Sequence, residues 1–236
     1  MTLIYNLTLA IISWFIIYLL EKRNVFKAWI APPKKRITEF LQGFSLMAVL
    51  CVLTQLVLSQ ISNTTWILSN NLSLKMLLSS FYYDINSVMF EELIFRGILL
   101  YMLIKYFNHR TGIIVSSIAF GIYHWFTGGV FGNLPAMIVV FIVTGFMGYV
   151  FAMAYAKTKS LILPFGLHLG WNLINHNIFS NGPNGIVILQ VDEQPEISNF
   201  HQLVSFGLYL LVTVTALFFV KSEYVRKEQS TITYNE

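Results

Sequence analysis

Long apolar stretches separated by short polar clusters run along the whole chain, and several reach the roughly 18 apolar residues that signal a helix able to cross a bilayer. With the turn signals between them, they predict membrane helices over about 3–20, 40–61, 84–107, 112–126, 134–156, 161–179 and 203–220. The first run lacks a basic n-region and a small-residue cleavage site, and it exceeds a signal-peptide core of about 7–15 residues, so it reads as the first span. Residues 72–83, with Leu74, Leu77, Leu78 and Phe81, read either as an interfacial amphipathic turn or as an early start to the third helix. Pro32-Pro33 punctuates the first loop, and Asn181-Gly182-Pro183-Asn184-Gly185 opens the last outer one. No internal repeat or second domain breaks the pattern. The expected fold is all-α, a polytopic transmembrane helical bundle of about seven spans forming one integral membrane domain over residues 1–236.

Composition sharpens this picture. The 236 residues are 56% hydrophobic and only 11% charged, against about 25% charged in soluble domains. Cys51, the single cysteine, sits in an apolar run and can form no internal disulfide. The net charge of +4 is carried by clusters between apolar segments, with no separate basic domain, so nucleic acid is not an expected partner. Lys22, Arg23, Lys27, Lys34, Lys35 and Arg36 fill the first loop, Lys105 and Arg110 the third, and Lys157 and Lys159 the fifth. Lys221, Arg226 and Lys227 follow the last span, while the intervening loops hold Lys75 or only the acids Asp192, Glu193 and Glu196. Cytoplasmic loops are the ones rich in Lys and Arg, so the alternation predicts an outside N-terminus and a cytoplasmic C-terminus.

Ionisable groups inside a bilayer cost at least a few kcal/mol and mark function by default. They fall on three helices. The third reads Phe90-Glu91-Glu92-Leu93-Ile94-Phe95-Arg96-Gly97, where Glu92 and Arg96 share a face and can pair. Glu91 is rotated by about 100° from Glu92 and is free to point elsewhere. A structural ion pair beside a solvated glutamate is the plainer alternative. The fourth helix ends Phe120-Gly121-Ile122-Tyr123-His124-Trp125, in which His124 could equally be an interfacial residue without chemistry. The sixth reads Gly166-Leu167-His168-Leu169-Gly170-Trp171-Asn172, placing His168 and Asn172 on one face. They could be no more than a polar packing contact, and Gly166 and Gly170 form a small-xxx-small pair that lets a neighbouring helix approach. His176 lies nearer the loop and takes no role. The loop charges put Glu91 and Asn172 each about 10 Å from the outer ends of their helices and His124 within a turn of its own, so all converge on one half of the membrane.

A glutamate in an apolar, partly dry site can act as a general base toward water, with a histidine holding that water. A second histidine and an asparagine amide are donors of the kind that stabilise a tetrahedral oxyanion. These are the parts for metal-independent hydrolysis of an amide bond. No GxSxG is present and Cys51 has no evident partner, so a serine or cysteine nucleophile is not indicated. Zinc is conceivable on Glu91, His124 and His168, but HExxH is absent, and no cofactor is expected.

Glu91-Glu92-x-x-x-Arg96, Phe120-x-x-x-His124 and His168-x-x-x-Asn172, in that order over about 84–179, resemble the CPBP family of intramembrane glutamic endopeptidases. That family includes type II CAAX prenyl proteases and bacteriocin-processing or self-immunity proteins. The resemblance implies a catalytic core at 84–179, with Glu91 activating water and His124 beside it. It makes His168 and Asn172 the oxyanion site and Glu92 and Arg96 a supporting pair. It implies a peptide or lipidated-peptide substrate met in the lipid of the membrane. In the eukaryotic prenyl proteases it also implies cytosolic access, whereas the loop charges put this site in the outer half. Two other readings stand beside it. A catalytically silent immunity or scaffold protein would use the same fold for binding alone. A transporter would show paired repeats and interrupted helices, and neither is found.

Overall fold

The computed structural model describes residues 2–22, 25–70, 72–180, 183, 185, 187–192 and 198–233. Arg23, Asn181, Gly182, Asn184, Glu193 and Glu196 lie outside the described residues, as do the side chains of Arg226 and Lys227. In chain order come α1 (Thr2–Glu21), α2 (Val25–Ile30), α3 (Pro33–Ile61), β1 (Trp66–Leu68) and α4 (Leu74–Glu92). Helix α4 runs through a π-helical segment (Leu93–Leu99) into α5 (Leu100–Tyr106). Then follow α6 (His109–Thr127), α7 (Leu134–Thr158), α8 (Ile162–Leu173) with a π-helical extension (Ile174–Ile178), β2 (Leu189–Val191) and α9 (Asn199–Thr233). The all-α helical bundle is borne out.

Side-chain caps set several boundaries. Ser73 accepts the Met76 N–H at 3.2 Å and opens α4, and Asn108 accepts that of Thr111 at 2.8 Å and opens α6. Each satisfies an amide that the first turn leaves unpaired. Pro33 stands in the first turn of α3, where its missing N–H costs nothing. Positive φ at Gly129 (+65°) and Gly132 (+94°) turns the chain from α6 toward α7.

Several expected bounds need correction, among them the second helix, which starts at Pro33 rather than about 40. The third helix begins ten residues before 84, so 72–83 is its early start rather than an interfacial turn. Glu91 is consequently about 25 Å from the start of α4, not about 10 Å. The start was obscured because Ser79, Ser80 and Asp84 look like a solvated end, whereas Ser80 and Asp84 are buried. The last helix likewise extends past 203–220 at both ends. A two-stranded antiparallel ribbon, with Trp66 opposite Val191 and Leu68 opposite Leu189, was not foreseen. Three-residue strands are too short to show an alternating pattern.

Large apolar side chains face outward, among them Ile4, Leu203 and Phe218, while Asp84, Glu92, Arg96 and Asn177 are wholly buried. A water-soluble protein shows the reverse, and this distribution suits a protein surrounded by lipid. Helices α1, α3, α7 and α9 are long and apolar enough to cross a membrane. The central core joins Met47, Phe95, Phe120, Phe151, Leu167 and Val212 from six different segments. Helix α3 lies along α8, and α6 along α7. The first approach depends on glycine: a Cβ on Gly166 would stand 2.6 Å from the Phe40 carbonyl oxygen, and one on Gly170 would overlap that of Phe44. The pair picked out from the sequence does bring a neighbouring helix close, and that neighbour is α3.

Candidate active site

The three polar segments meet around Glu91. Neighbours on a helix diverge by about 100°, so the two glutamates look in different directions. Glu92 Oε1 takes Arg96 Nη1 at 3.1 Å one turn along, with both side chains fully buried. The same oxygen accepts from His168 Nδ1 on α8 at 2.9 Å. Glu91 turns away from Arg96, and its Oε2 lies 3.9 Å from His124 Nε2 and 3.9 Å from His168 Nε2. That oxygen is buried without a hydrogen-bond partner among the described residues.

Arg96 is held from two further directions. Its Nη2 donates to the Gly148 carbonyl on α7 at 3.3 Å, and its guanidinium carbon sits 4.2 Å from the Phe120 ring centre and 5.1 Å from that of Phe151. Gly148 permits this approach, because a Cβ there would meet Phe120 Cδ1 at 2.9 Å. Phe151 stacks on the His168 ring at 4.9 Å, so two aromatic rings lie against both the guanidinium and the imidazole. The π-helical segment carries Arg96, and its Phe95 carbonyl accepts from Ser116 Oγ at 3.0 Å. Such π turns are common at functional sites, where they redirect a side chain.

Hydrogen bonding sets the histidine tautomers. His124 Nδ1 lies 2.8 Å from the Phe120 carbonyl, which can only accept, so Nδ1 carries a proton. His168 Nδ1 likewise faces the Glu92 carboxylate. Both rings therefore turn Nε2 toward Glu91. Separations of 3.9 Å exceed a direct hydrogen bond and suit a bridging water.

A cavity of about 460 Å³ opens onto this group, lined by Glu91, His124, His168 and Asn172 among apolar residues such as Met47 and Trp171. Every catalytic candidate from the sequence thus reaches one chamber, and the supporting pair lies behind it. Glu91, His124 and His168, the set on which zinc is conceivable, do stand together, each imidazole Nε2 lying 3.9 Å from Glu91 Oε2. Among the described residues, however, no group of three or more His, Cys, Asp or Glu meets the geometry for one.

Two features escaped the sequence reading. His168 is tied to Glu92 as well as facing Glu91, a contact between distant segments that no local spacing announces. His176 does line the cavity, and its Nδ1 bonds Asp84 Oδ1 at 2.7 Å. A signal for it existed, since His168, Asn172 and His176 recur every four residues along one helix face.

Residues 72–174 match the family model described as Type II CAAX prenyl endopeptidase Rce1-like. The match contains all three motifs and bears out the resemblance drawn from them. Over that segment, which is less than half of the chain, the likeness is to the CAAX-protease-like intramembrane endopeptidases. No curated protein and no solved structure matches the chain.

Proposed function

Taking the Rce1-like segment as premise, we propose that the protein hydrolyses a peptide bond within the membrane, using water activated by Glu91. The observation that carries this reading is the meeting of one unpartnered carboxylate oxygen with two imidazole Nε2 atoms, each 3.9 Å away, in an apolar cavity. Water held among these three atoms attacks the scissile carbonyl carbon while Glu91 takes its proton, and the carbonyl π pair moves onto oxygen. Asn172 and His168, the latter held in place by Glu92, donate to that oxyanion. Collapse of the tetrahedral intermediate breaks the C–N bond, and Glu91 returns its proton to the leaving amine. His124 orients the water through Nε2. Glu92 and Arg96 touch no reacting atom; they position His168.

The substrate in this reading is a peptide or lipidated peptide that shares the lipid with the enzyme. The chain crosses the membrane about seven times with its N-terminus outside and its C-terminus cytoplasmic, as the loop charges favour. No metal takes part.

Cleavage of a peptide library containing prenylated C-termini, read by mass spectrometry on detergent-purified protein, tests the reading. Glu91→Gln should lower turnover by about 10²–10⁴-fold, the usual contribution of a general base. Chelator should leave the wild-type rate unchanged; a chelator-sensitive rate would favour the zinc alternative instead. Folded wild-type protein that cleaves nothing would point to a silent binding or immunity role.

A further inference from the structure

The outer surface of the bundle holds a second cavity that the hydrolytic group does not share. It is a groove of about 290 Å³ between α6 and α7, with Ile114 and Ile118 on one side, Phe141, Phe146 and Tyr149 on the other, and Leu217 of α9 beside them. Helix α7 divides the two cavities. Its Val143, Thr144 and Met147 line the chamber around Glu91, while Phe146 and Tyr149 line the groove. The two smallest lining residues, Ser117 and Gly145, face each other, and a Cβ on Gly145 would stand 3.7 Å from the Ser117 carbonyl oxygen. Larger side chains flank them, which leaves a trough. Ser117 turns its hydroxyl onto the Ile113 carbonyl of its own helix at 2.5 Å, so the trough is apolar. Ile114, Ile118 and Phe146 are exposed, and the trough is therefore open to lipid.

Its two ends differ. One is shut by aromatic rings: Phe141 lies against Gly121, where a Cβ would stand 2.8 Å from the ring, and Trp125 packs on Phe141 at 5.9 Å. The other end leads to charge. Arg110 precedes Ile114 by four residues on α6, and Lys221 follows Leu217 by four on α9. Each therefore stands on the groove face of its helix, about 6 Å beyond the last lining residue. Both are exposed, and neither joins an ion pair among the described residues. No Asp or Glu occurs between Leu93 and Val191, so α6 and α7 bring no acid to neutralise them. From Phe141 to Tyr149 the groove runs about 12 Å along α7, which fits within one leaflet of a hydrocarbon core about 30 Å thick.

We propose that this groove binds one acyl chain of an anionic phospholipid whose phosphate lies between Arg110 and Lys221. An apolar slot, closed at one end and cationic at the other, is complementary to a molecule with a hydrocarbon tail and an anionic head. The planar guanidinium of Arg110 matches a pair of phosphate oxygens. The lipid braces α7 on the side opposite the chamber. The site does not depend on the peptidase reading, since none of its residues touches the hydrolytic group.

Native mass spectrometry of the full chain in neutral detergent, titrated with dioleoyl phosphatidylglycerol or dioleoyl phosphatidylcholine, tests the proposal. A monomer with one phosphatidylglycerol bound is expected. Each basic side chain near a membrane surface favours an anionic lipid by about fivefold, so phosphatidylglycerol should bind more tightly by about that factor for each of the two cations. Arg110→Gln should remove one such factor, and adding Lys221→Gln should erase the preference. Both positions are exposed, so these variants should fold. Equal binding of the two lipids by the unaltered protein overturns the proposal, as does a preference that survives the double substitution. So does displacement of the lipid by glycerol phosphate, which needs no groove, or a lipid-free dimer that covers this face. Phosphatidylglycerol with brominated chains then locates the tail, because bromine quenches a nearby tryptophan. In phosphatidylcholine membranes with a small fraction of this lipid, Phe146→Trp should be quenched more strongly than Leu53→Trp, an exposed position on α3 outside the groove. Equal quenching of the two added tryptophans spreads the lipid around the whole protein and overturns the groove as its site.

Discussion

Glu91 and Glu92 are adjacent and chemically identical, yet their surroundings assign them opposite tasks. Glu92 bonds Arg96 and His168 in a fully buried cluster, so deleting it strands a guanidinium in the protein interior. Breaking a buried pair from one side costs about 3–5 kcal/mol. Glu91 Oε2 has no hydrogen bond to lose among the described residues, only the two histidine nitrogens at 3.9 Å. Glu92→Ala should therefore lower the thermal midpoint sharply in detergent, while Glu91→Ala should leave it level or raise it. Equal losses of midpoint would contradict this division. The rotation between neighbouring helix positions made the split legible in the sequence. What the sequence did not disclose is the bond from His168 to Glu92, because nothing local in residues 92 and 168 encodes their meeting. For the same reason His176 went unassigned: its partner Asp84 sits in a stretch that read as the edge of a span.

Helices α3 and α8 carry a second prediction. Gly170 lies midway between His168 and Asn172, on the side of α8 pressed against the Phe44 backbone. A methyl group there would overlap the Phe44 carbonyl oxygen, and a backbone atom cannot swing aside as a side chain does. Gly170→Ala should force the helices apart at a cost of about 1–3 kcal/mol, the range for overpacking. It should also move His168 and Asn172 relative to Glu91. Activity should accordingly fall further than the stability loss explains, measured as turnover at a temperature where the variant remains folded. Gly145, whose Cβ would meet nothing closer than 3.7 Å, is the matched control and should tolerate alanine. Sequence spacing revealed the glycine pair but not its partner. The π turns at Leu93–Leu99 and Ile174–Ile178 had no compositional signature at all, since they arise from how the helices pack rather than from which residues they contain.

Across the whole molecule, the loop charges bear on which side of the membrane the cavity faces. The cavity is lined by Thr127 and Gly128 at the end of α6 and by Pro183 in the loop after α8. These lie in the loops that hold almost no Lys or Arg, whereas Lys105, Arg110, Lys157 and Lys159 lie in the opposite set. Cationic loops are retained on the cytoplasmic side, so the cavity should open away from the cytoplasm. Leu68, exposed on β1, and Arg110, exposed at the start of α6, mark the two sides. Cys51 is buried, and replacing it with serine gives a background for single labels. In intact cells a membrane-impermeant maleimide should modify Leu68→Cys and spare Arg110→Cys until the membrane is opened. The reverse pattern would turn the molecule over and give the cavity a cytoplasmic mouth, the access implied by the eukaryotic prenyl proteases. The substrate class follows from this outcome, because a prenylated protein terminus is presented on the cytoplasmic face. Labelling of Leu68→Cys from outside would instead direct the search toward peptides that reach the cavity from the outer leaflet, with the Glu91 chemistry unchanged.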